Sequence, residues 1–264
     1  MRLKIDIVDA FADELFKGNQ AAVIILNEWL DESVMQNIAI ENNLSETAFL
    51  VQDKDDIYHI RWFSPICEIE FCGHATLASS HILFSENKQL NNLTFFAKAI
   101  GEFEVKKVDD LIQMDFPNRK PEFLDEMPKD IIEGLSITPK EVYKSEQAYF
   151  AVYEKKEDVL NVTYKSEILK KLAPLDVVVT ALDNSGKYDF ISRYFWPANG
   201  GDEDPVTGSI HAGLAPLWKD KLNKNKLIAL QASKRTGVLH CEVKDDRVLV
   251  SGKAINYLQG YIDI

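Results

Sequence analysis

The chain has 264 residues, of which 46% are hydrophobic and 27% charged, a composition typical of a globular protein with one large or two ordinary domains. Its formal net charge of −12 argues against an electrostatic hold on nucleic acid or on an anionic membrane. No apolar run approaches the ~18 residues of a membrane span, and the N-terminus lacks the apolar centre of a signal peptide. The three cysteines cannot all pair and show no zinc-site spacing, so we expect a reducing cytoplasm and no metal.

Strand-like segments dominate both halves of the chain. In the first half the patterns predict strands over 2–9, 21–26, 47–52, 57–63, 102–107 and 111–116, and helices over 31–41 and 74–85. In the second half they predict strands over 148–153, 176–181, 188–195, 227–231, 238–243, 247–251 and 254–263, and helices over 165–172 and 209–219. This pattern favours an α+β fold with two mainly antiparallel sheets, each wrapped on one apolar helix.

A repeated motif indicates that the two halves are related. "RWFSP" (61–65) precedes the helix opening "CGHATLA" (72–78), and "RYFWP" (193–197) precedes the opening "TGSIHAG" (207–213). The offset is half the chain, which favours two similar halves over a short-period repeat. Between them, the proline-rich stretch 117–139 has the composition of a linker with room for one short helix.

Both helix openings place small residues where backbone N–H groups have no partner inside the helix. Gly73–His74 and Gly208–Ser209 therefore resemble anion-binding helix ends, because glycine lets a ligand approach the backbone and the helix dipole favours negative charge. The alternative is plain capping, for which Thr207 is a suitable residue. Because the opening occurs twice, we favour one ligand cleft shared by both.

Glu46 is the candidate acid/base. It follows Ser45 and leads directly into the apolar strand "TAFLV" (47–51). A partly buried carboxylate in such surroundings can exchange protons near neutral pH, although an exposed glutamate at a strand edge would look the same in sequence. Asn19, in the turn "KGNQ" (17–20), and His211 are interpreted as structural.

Several stretches together resemble the PhzF-like family, relatives of the phenazine-biosynthesis isomerase that share the diaminopimelate epimerase fold. The matching stretches are "DAFADELFKGNQAAV", "NLSETAF", "RWFSPICEIEFCGHATLA", "MDFP", "SRYFWP", "EDPVTGSIH" and "LQASKRTG". The resemblance implies two pseudo-symmetric halves, 1–116 and 120–264, with the last strand free to pack on the first half and the active site between them. It also implies catalysis without metal or organic cofactor.

The same resemblance assigns roles to single residues. It implies Glu46 as the acid/base, and a substrate-binding set of Ser45, Gly73, His74, Asp204, Gly208 and Ser209. The resulting hypothesis is a cofactor-independent, homodimeric isomerase that moves a proton on a small carboxylate-bearing, amino acid-like metabolite. Gly18–Asn19–Gln20 departs from the usual Gly–Asn–Pro, and this departure puts the substrate in doubt more than the reaction.

Two alternatives remain open from the sequence. Cys72 precedes a helix opening, where thiolates are stabilised, and it matches the position of a catalytic cysteine in the related epimerase. A two-thiol racemase would then need a second cysteine, and the opposite half offers Thr207, Gly208 and Ser209 instead. The other alternative is a non-enzymatic member that binds a metabolite or acts as a scaffold.

Overall fold

The computed structural model describes residues 1–53 and 56–264. The chain forms two compact units, one made of residues 1–115 and 251–264 and the other of residues 116–250. No helix among these residues is long and apolar enough to cross a membrane.

The first unit is built on a mixed sheet with two long helices. Its elements are β1 (Arg2–Ala10), β2 (Asn19–Leu26), α1 (Glu32–Asn42), β3 (Glu46–Gln52), β4 (Ile57–Phe63), β5 (Glu68–Ile69), α2 (Gly73–Glu86), β6 (Asn92–Ala97), β7 (Gly101–Val108), β8 (Leu111–Pro117) and β18 (Ala254–Asp263). Antiparallel pairs join β1 to β18 and β2, β3 to β4, β4 to β5, and β6 to β7 to β8. The pairs β2–β3 and β4–β6 are parallel, and each is connected through a helix, as a parallel crossover requires.

Helix α2 is buried on nearly all sides. Its buried residues include the continuous run 73–80 and then Ile82, Leu83 and Phe84. Three hydroxyl groups inside this run are satisfied within the helix, because Thr76, Ser79 and Ser80 each donate to the carbonyl four residues earlier. The small side chains therefore let the sheet approach the helix without leaving buried donors unpaired.

The second unit repeats the connectivity of the first. Its elements are β9 (Glu122–Phe123), α3 (Lys129–Gly134), β10 (Glu141–Lys144), β11 (Ala148–Val152), α4 (Lys156–Asn161), α5 (Ser166–Leu169), β12 (Asp176–Leu182), β13 (Phe190–Phe195), β14 (Glu203–Asp204), α6 (His211–Leu222), β15 (Lys226–Gln231), β16 (Gly237–Val243) and β17 (Arg247–Gly252). The parallel pairs here are β11–β12, reached through α4 and α5, and β13–β15, reached through α6. Antiparallel pairs join β10 to β11, β12 to β13, β13 to β14 and β15 to β16.

The α+β class predicted from the sequence is confirmed, and in each unit most strand pairs are antiparallel, with two parallel pairs among them. The predicted linker contains the short helix α3. The predicted domain boundaries, 1–116 and 120–264, stay a prediction. In the structure β18 pairs along the whole of β1, and residues 251–264 group with the first unit.

Candidate functional site

Glu46 is the first residue of β3 and holds a carboxylate against the start of α2. Its side chain is 14% exposed, and its Oε2 lies 2.9 Å from Nε2 of His74. The approach is close but not aligned as a hydrogen bond, and Oε2 is buried without a hydrogen-bond partner among the described residues.

His74, the second residue of α2, faces three polar groups. Besides Glu46, its Nδ1 lies 3.2 Å from Nδ2 of Asn19 and 3.4 Å from Sγ of Cys72. Burial by itself lowers the pKa of His74, but its interactions with Cys72 and Glu46 outweigh burial and raise the pKa well above its ordinary value. The carboxylate and the imidazole thus form a pair that favours a proton between them.

Ser45 and Asn19 extend this pair into a short polar chain. The Ser45 hydroxyl donates to Oδ1 of Asn19 at 3.0 Å, and Asn19, which is fully buried, reaches His74 with its amide nitrogen. The interpretation of Asn19 as structural therefore missed a contact with the site. The sequence offered one sign of this contact, the glycine at position 18 directly before Asn19. In the structure Gly18 has a φ of +68° and lies close to the Ala10 carbonyl, which fixes the turn before β2.

Cys72 occupies the N-cap position of α2 without a side-chain capping bond, and its thiol keeps its proton at neutral pH. Burial, followed by the charge of Glu46, raises the pKa of the Cys72 thiol to about 11. At neutral pH the side chain is therefore a thiol, although it stands where a helix dipole would favour a thiolate. Among the described residues no side chain caps α2, so Gly73 and His74 open the helix as expected.

Asp204, one of the sequence-predicted residues of the second unit, belongs to a polar cluster within that unit. Asp204 lies in β14, and the hydroxyl of Thr207 donates to its carboxylate. Gln231 holds both residues, since its Oε1 accepts from the Thr207 N–H at 2.9 Å and its Nε2 donates to the Asp204 carbonyl at 2.9 Å. Thr207 is therefore not the N-cap of α6, and the capping alternative considered for it is wrong.

Gly208 and Ser209 lie in a turn before α6, which begins at His211 and not at residue 209. The N–H groups of residues 211 and 212 donate to the carbonyls of Gly208 and Ser209, so a tight turn replaces the first predicted helical turn. Ser209 Oγ accepts a hydrogen bond from Nε2 of Gln147 at 2.9 Å, which leaves its own proton to donate elsewhere. Gln147 was not identified from sequence, because nothing near it marks a site.

The two sets of residues belong to different units. Ser45, Glu46, Gly73 and His74 lie in the first, and the remainder of the predicted set lies in the second. The single cleft expected from the paired helix openings stays a prediction.

The chain is thus an α+β protein of two units with repeated connectivity, and its first unit holds a buried carboxylate–imidazole pair. A family model described as phenazine biosynthesis-like protein matches residues 8–260, so this chain belongs to the PhzF family. It is 43% identical to an uncharacterized isomerase of Pseudomonas aeruginosa over 264 residues, which is 100% of each chain.

Solved structures agree with this assignment. A PhzF-family protein of Enterococcus faecalis is 42% identical, with a TM-score of 0.95 and 100% coverage of both chains. A predicted epimerase of Pseudomonas aeruginosa has the same fold, with a TM-score of 0.74 at 21% identity over 98% of this chain and 99% of that chain. The resemblance stated from motifs is confirmed.

Proposed function

We propose that this protein is a cofactor-independent isomerase that moves a proton on a small carboxylate-bearing metabolite, with Glu46 as the general acid/base. The observation that carries this proposal is the buried Glu46 Oε2, which lies 2.9 Å from His74 Nε2 and has no aligned hydrogen-bond partner among the described residues. Membership of a family with relatives named isomerases supports the reaction class.

The step assigned to Glu46 is a proton transfer at carbon. The carboxylate takes a proton from the substrate and, as a carboxylic acid, returns it to another position. His74 stabilises the carboxylate form, and its neighbours Asn19 and Cys72 hold the ring in place. A positioned group of this kind contributes ~10²–10⁴-fold in rate.

The substrate class rests on the opening of α2. A helix N-terminus without a side-chain cap presents N–H groups and a positive dipole end, and both favour a carboxylate in a protein whose overall charge is −12.

A thiol mechanism is the weaker proposal. Cys72 has a pKa of about 11, and Cys241, buried in β16, has a pKa of about 12 because burial disfavours its thiolate. Neither thiol ionises readily at neutral pH, so neither is an effective proton acceptor there.

The test is deuterium incorporation into a metabolite extract incubated with the protein in heavy water. We expect wild type and Cys72→Ser to label the same metabolite, and Glu46→Gln to reduce labelling by at least ~10²-fold, because the amide keeps the shape but accepts no proton. Glu41→Gln, which changes an exposed glutamate of α1, is the matched control. Full labelling by Glu46→Gln together with none by Cys72→Ser would establish the thiol mechanism instead.

A further inference from the structure

Strand β18 (Ala254–Asp263) lies at an edge of the sheet of the first unit. Among the described residues it pairs with β1, and no strand runs along its other side. The pairing with β1 is regular over 258–263, and its register shifts once, between Leu258 and Asn256. The backbone N–H and C=O groups on the open side of β18 can therefore pair with a strand of another chain.

The corresponding edge of the second unit is protected, which gives a direct comparison. There β9 (Glu122–Phe123) pairs with β10 as β18 pairs with β1, and β10 and β1 each pair in turn with the next strand along the chain. Strand β9 has two residues, follows Pro121 and begins with a charged side chain. Short length, proline and charge are the devices that keep a sheet edge from pairing with other chains. Strand β18 has ten residues, contains neither lysine nor proline, and carries one charge, on Asp263.

Large apolar side chains surround the open edge. Phe16, Tyr257, Leu258 and Tyr261 are each between 42% and 66% exposed, and we call these four residues the edge patch. Phe16 packs edge-to-face on Tyr257, with the ring centroids 6.0 Å apart, so the patch extends beyond the strand itself. Adjoining exposed apolar side chains of this kind mark an interaction surface.

Charge favours a second copy of the chain as the partner at this edge. Two copies that each carry a net charge of −12 repel one another, so they associate best through a surface without net charge. The edge is such a surface, because residues 254–262 are uncharged and Asp263 lies opposite Arg2 of β1. A two-fold axis perpendicular to the sheet brings the β18 strands of two copies together in antiparallel orientation, and each edge patch then meets its own copy.

We infer that β18 is an interaction surface for a second copy of this chain. The two β18 strands pair antiparallel, so that the sheets of the two first units continue into one another. Backbone hydrogen bonds align the strands, and the edge patches cover each other on both sides of the axis. This contact uses none of the residues of the proposed proton transfer, so it does not depend on the proposed function.

The first test is analytical ultracentrifugation of the full-length protein over a range of concentrations. We expect a dimer that dissociates on dilution. Leu258→Lys and Tyr261→Lys should each raise the dissociation constant of the dimer at least ~10-fold, because like charges then meet across the two-fold axis. Ile66→Lys is the matched control, since it adds the same charge at an exposed isoleucine of the first unit outside the edge patch and should leave the dissociation constant unchanged.

The second test is hydrogen exchange, which locates the contact in wild type without any substitution. The backbone amides of 258–263 should exchange more slowly at high protein concentration than after dilution, and Leu258→Lys should remove this difference. Circular dichroism checks that each variant is folded. A wild-type protein that stays monomeric at every concentration would overturn the inference, and so would a dimer that both lysine substitutions in the edge patch leave equally stable. Neither result changes the expected dependence of deuterium labelling on Glu46.

Discussion

His211 gives the protein a buried, neutral histidine whose cost can be measured. It is the first residue of α6, its Nδ1 donates to the Thr207 carbonyl at 2.9 Å, and its ring stacks on Phe190 with centroids 6.1 Å apart. Nε2 is buried and has no hydrogen-bond partner among the described residues. Burial lowers the pKa of His211 to about 4.

The sign of the pH effect follows from this shift. An unfolded histidine titrates near 6.5, so above that pH neither state binds the proton and the group costs nothing. Below it the unfolded chain takes up a proton that the folded chain refuses until about pH 4, and stability is lost across this window. The full difference corresponds to about 3 kcal/mol, of which about 1.3 kcal/mol falls between about pH 7.5 and about pH 5.5.

Urea unfolding at these two pH values measures the effect. Wild type should lose about 1.3 kcal/mol more than His211→Phe on acidification, because phenylalanine fills the site without a titrating group. Phe190→Leu is the control, since it weakens the same packing and should lower stability equally at both pH values. If wild type and His211→Phe lose stability in parallel, then the histidine is not held neutral and the reasoning is refuted.

Three further outcomes are expected. Arg193→Lys should cost about 2–3 kcal/mol in urea unfolding, because lysine cannot reproduce the fork that holds Glu203 and three backbone carbonyls; an unchanged midpoint would contradict this. Gly18→Ala should lower the free energy of unfolding by more than about 2 kcal/mol, because the new Cβ would lie 2.1 Å from the Ala10 carbonyl oxygen. Gly186 also has a positive φ, of +79°, but open space surrounds it, so Gly186→Ala should lower the free energy of unfolding by only about 1 kcal/mol. Mass spectrometry after brief alkylation at neutral pH should find Cys67 modified first, and fast labelling of Cys72 would contradict its raised pKa.

Much of the fold could be predicted because its signals are local. Alternation of apolar residues identified the long strands, and the helix openings identified α2 and the neighbourhood of α6. Strands β5 and β14 have two residues each and are too short to show a period, while β6 was missed behind "NNLTFFA" (91–97). The parallel strand pairs could not be predicted either, because parallel pairing depends on which strand the crossover connection leads back to and not on the strand's own sequence.

The candidate site also has a part that the sequence could predict and a part that it could not. Glu46 and His74 stand in recognisable motifs, so the sequence could propose them singly. That their side chains meet depends on the register that places β3 between β2 and β4 beside the start of α2, and this register is not visible in either motif. Gln147 could not be predicted from the sequence at all, because it contacts Ser209, 62 residues further along the chain, and no sequence pattern accompanies it.

The internal repeat has a physical basis in an arginine–glutamate clamp. In the first unit Arg61 binds both oxygens of Glu68, which pairs with Phe63 across β4–β5. In the second unit Arg193 binds both oxygens of Glu203, which pairs with Phe195 across β13–β14.

Each clamp fixes the short strand that leads to the opening of the central helix. The two partners are 7 residues apart in the first unit and 10 in the second, whereas the glutamate is five residues from the glycine of the opening in both. The three extra residues therefore fall inside the clamp loop, where the 3₁₀ turn Pro197–Asn199 lies. An insertion on the far side of the clamped glutamate would shift the helix opening, and one inside the loop does not. This explains why the spacing between motif and helix differs while the spacing between clamp and helix is kept.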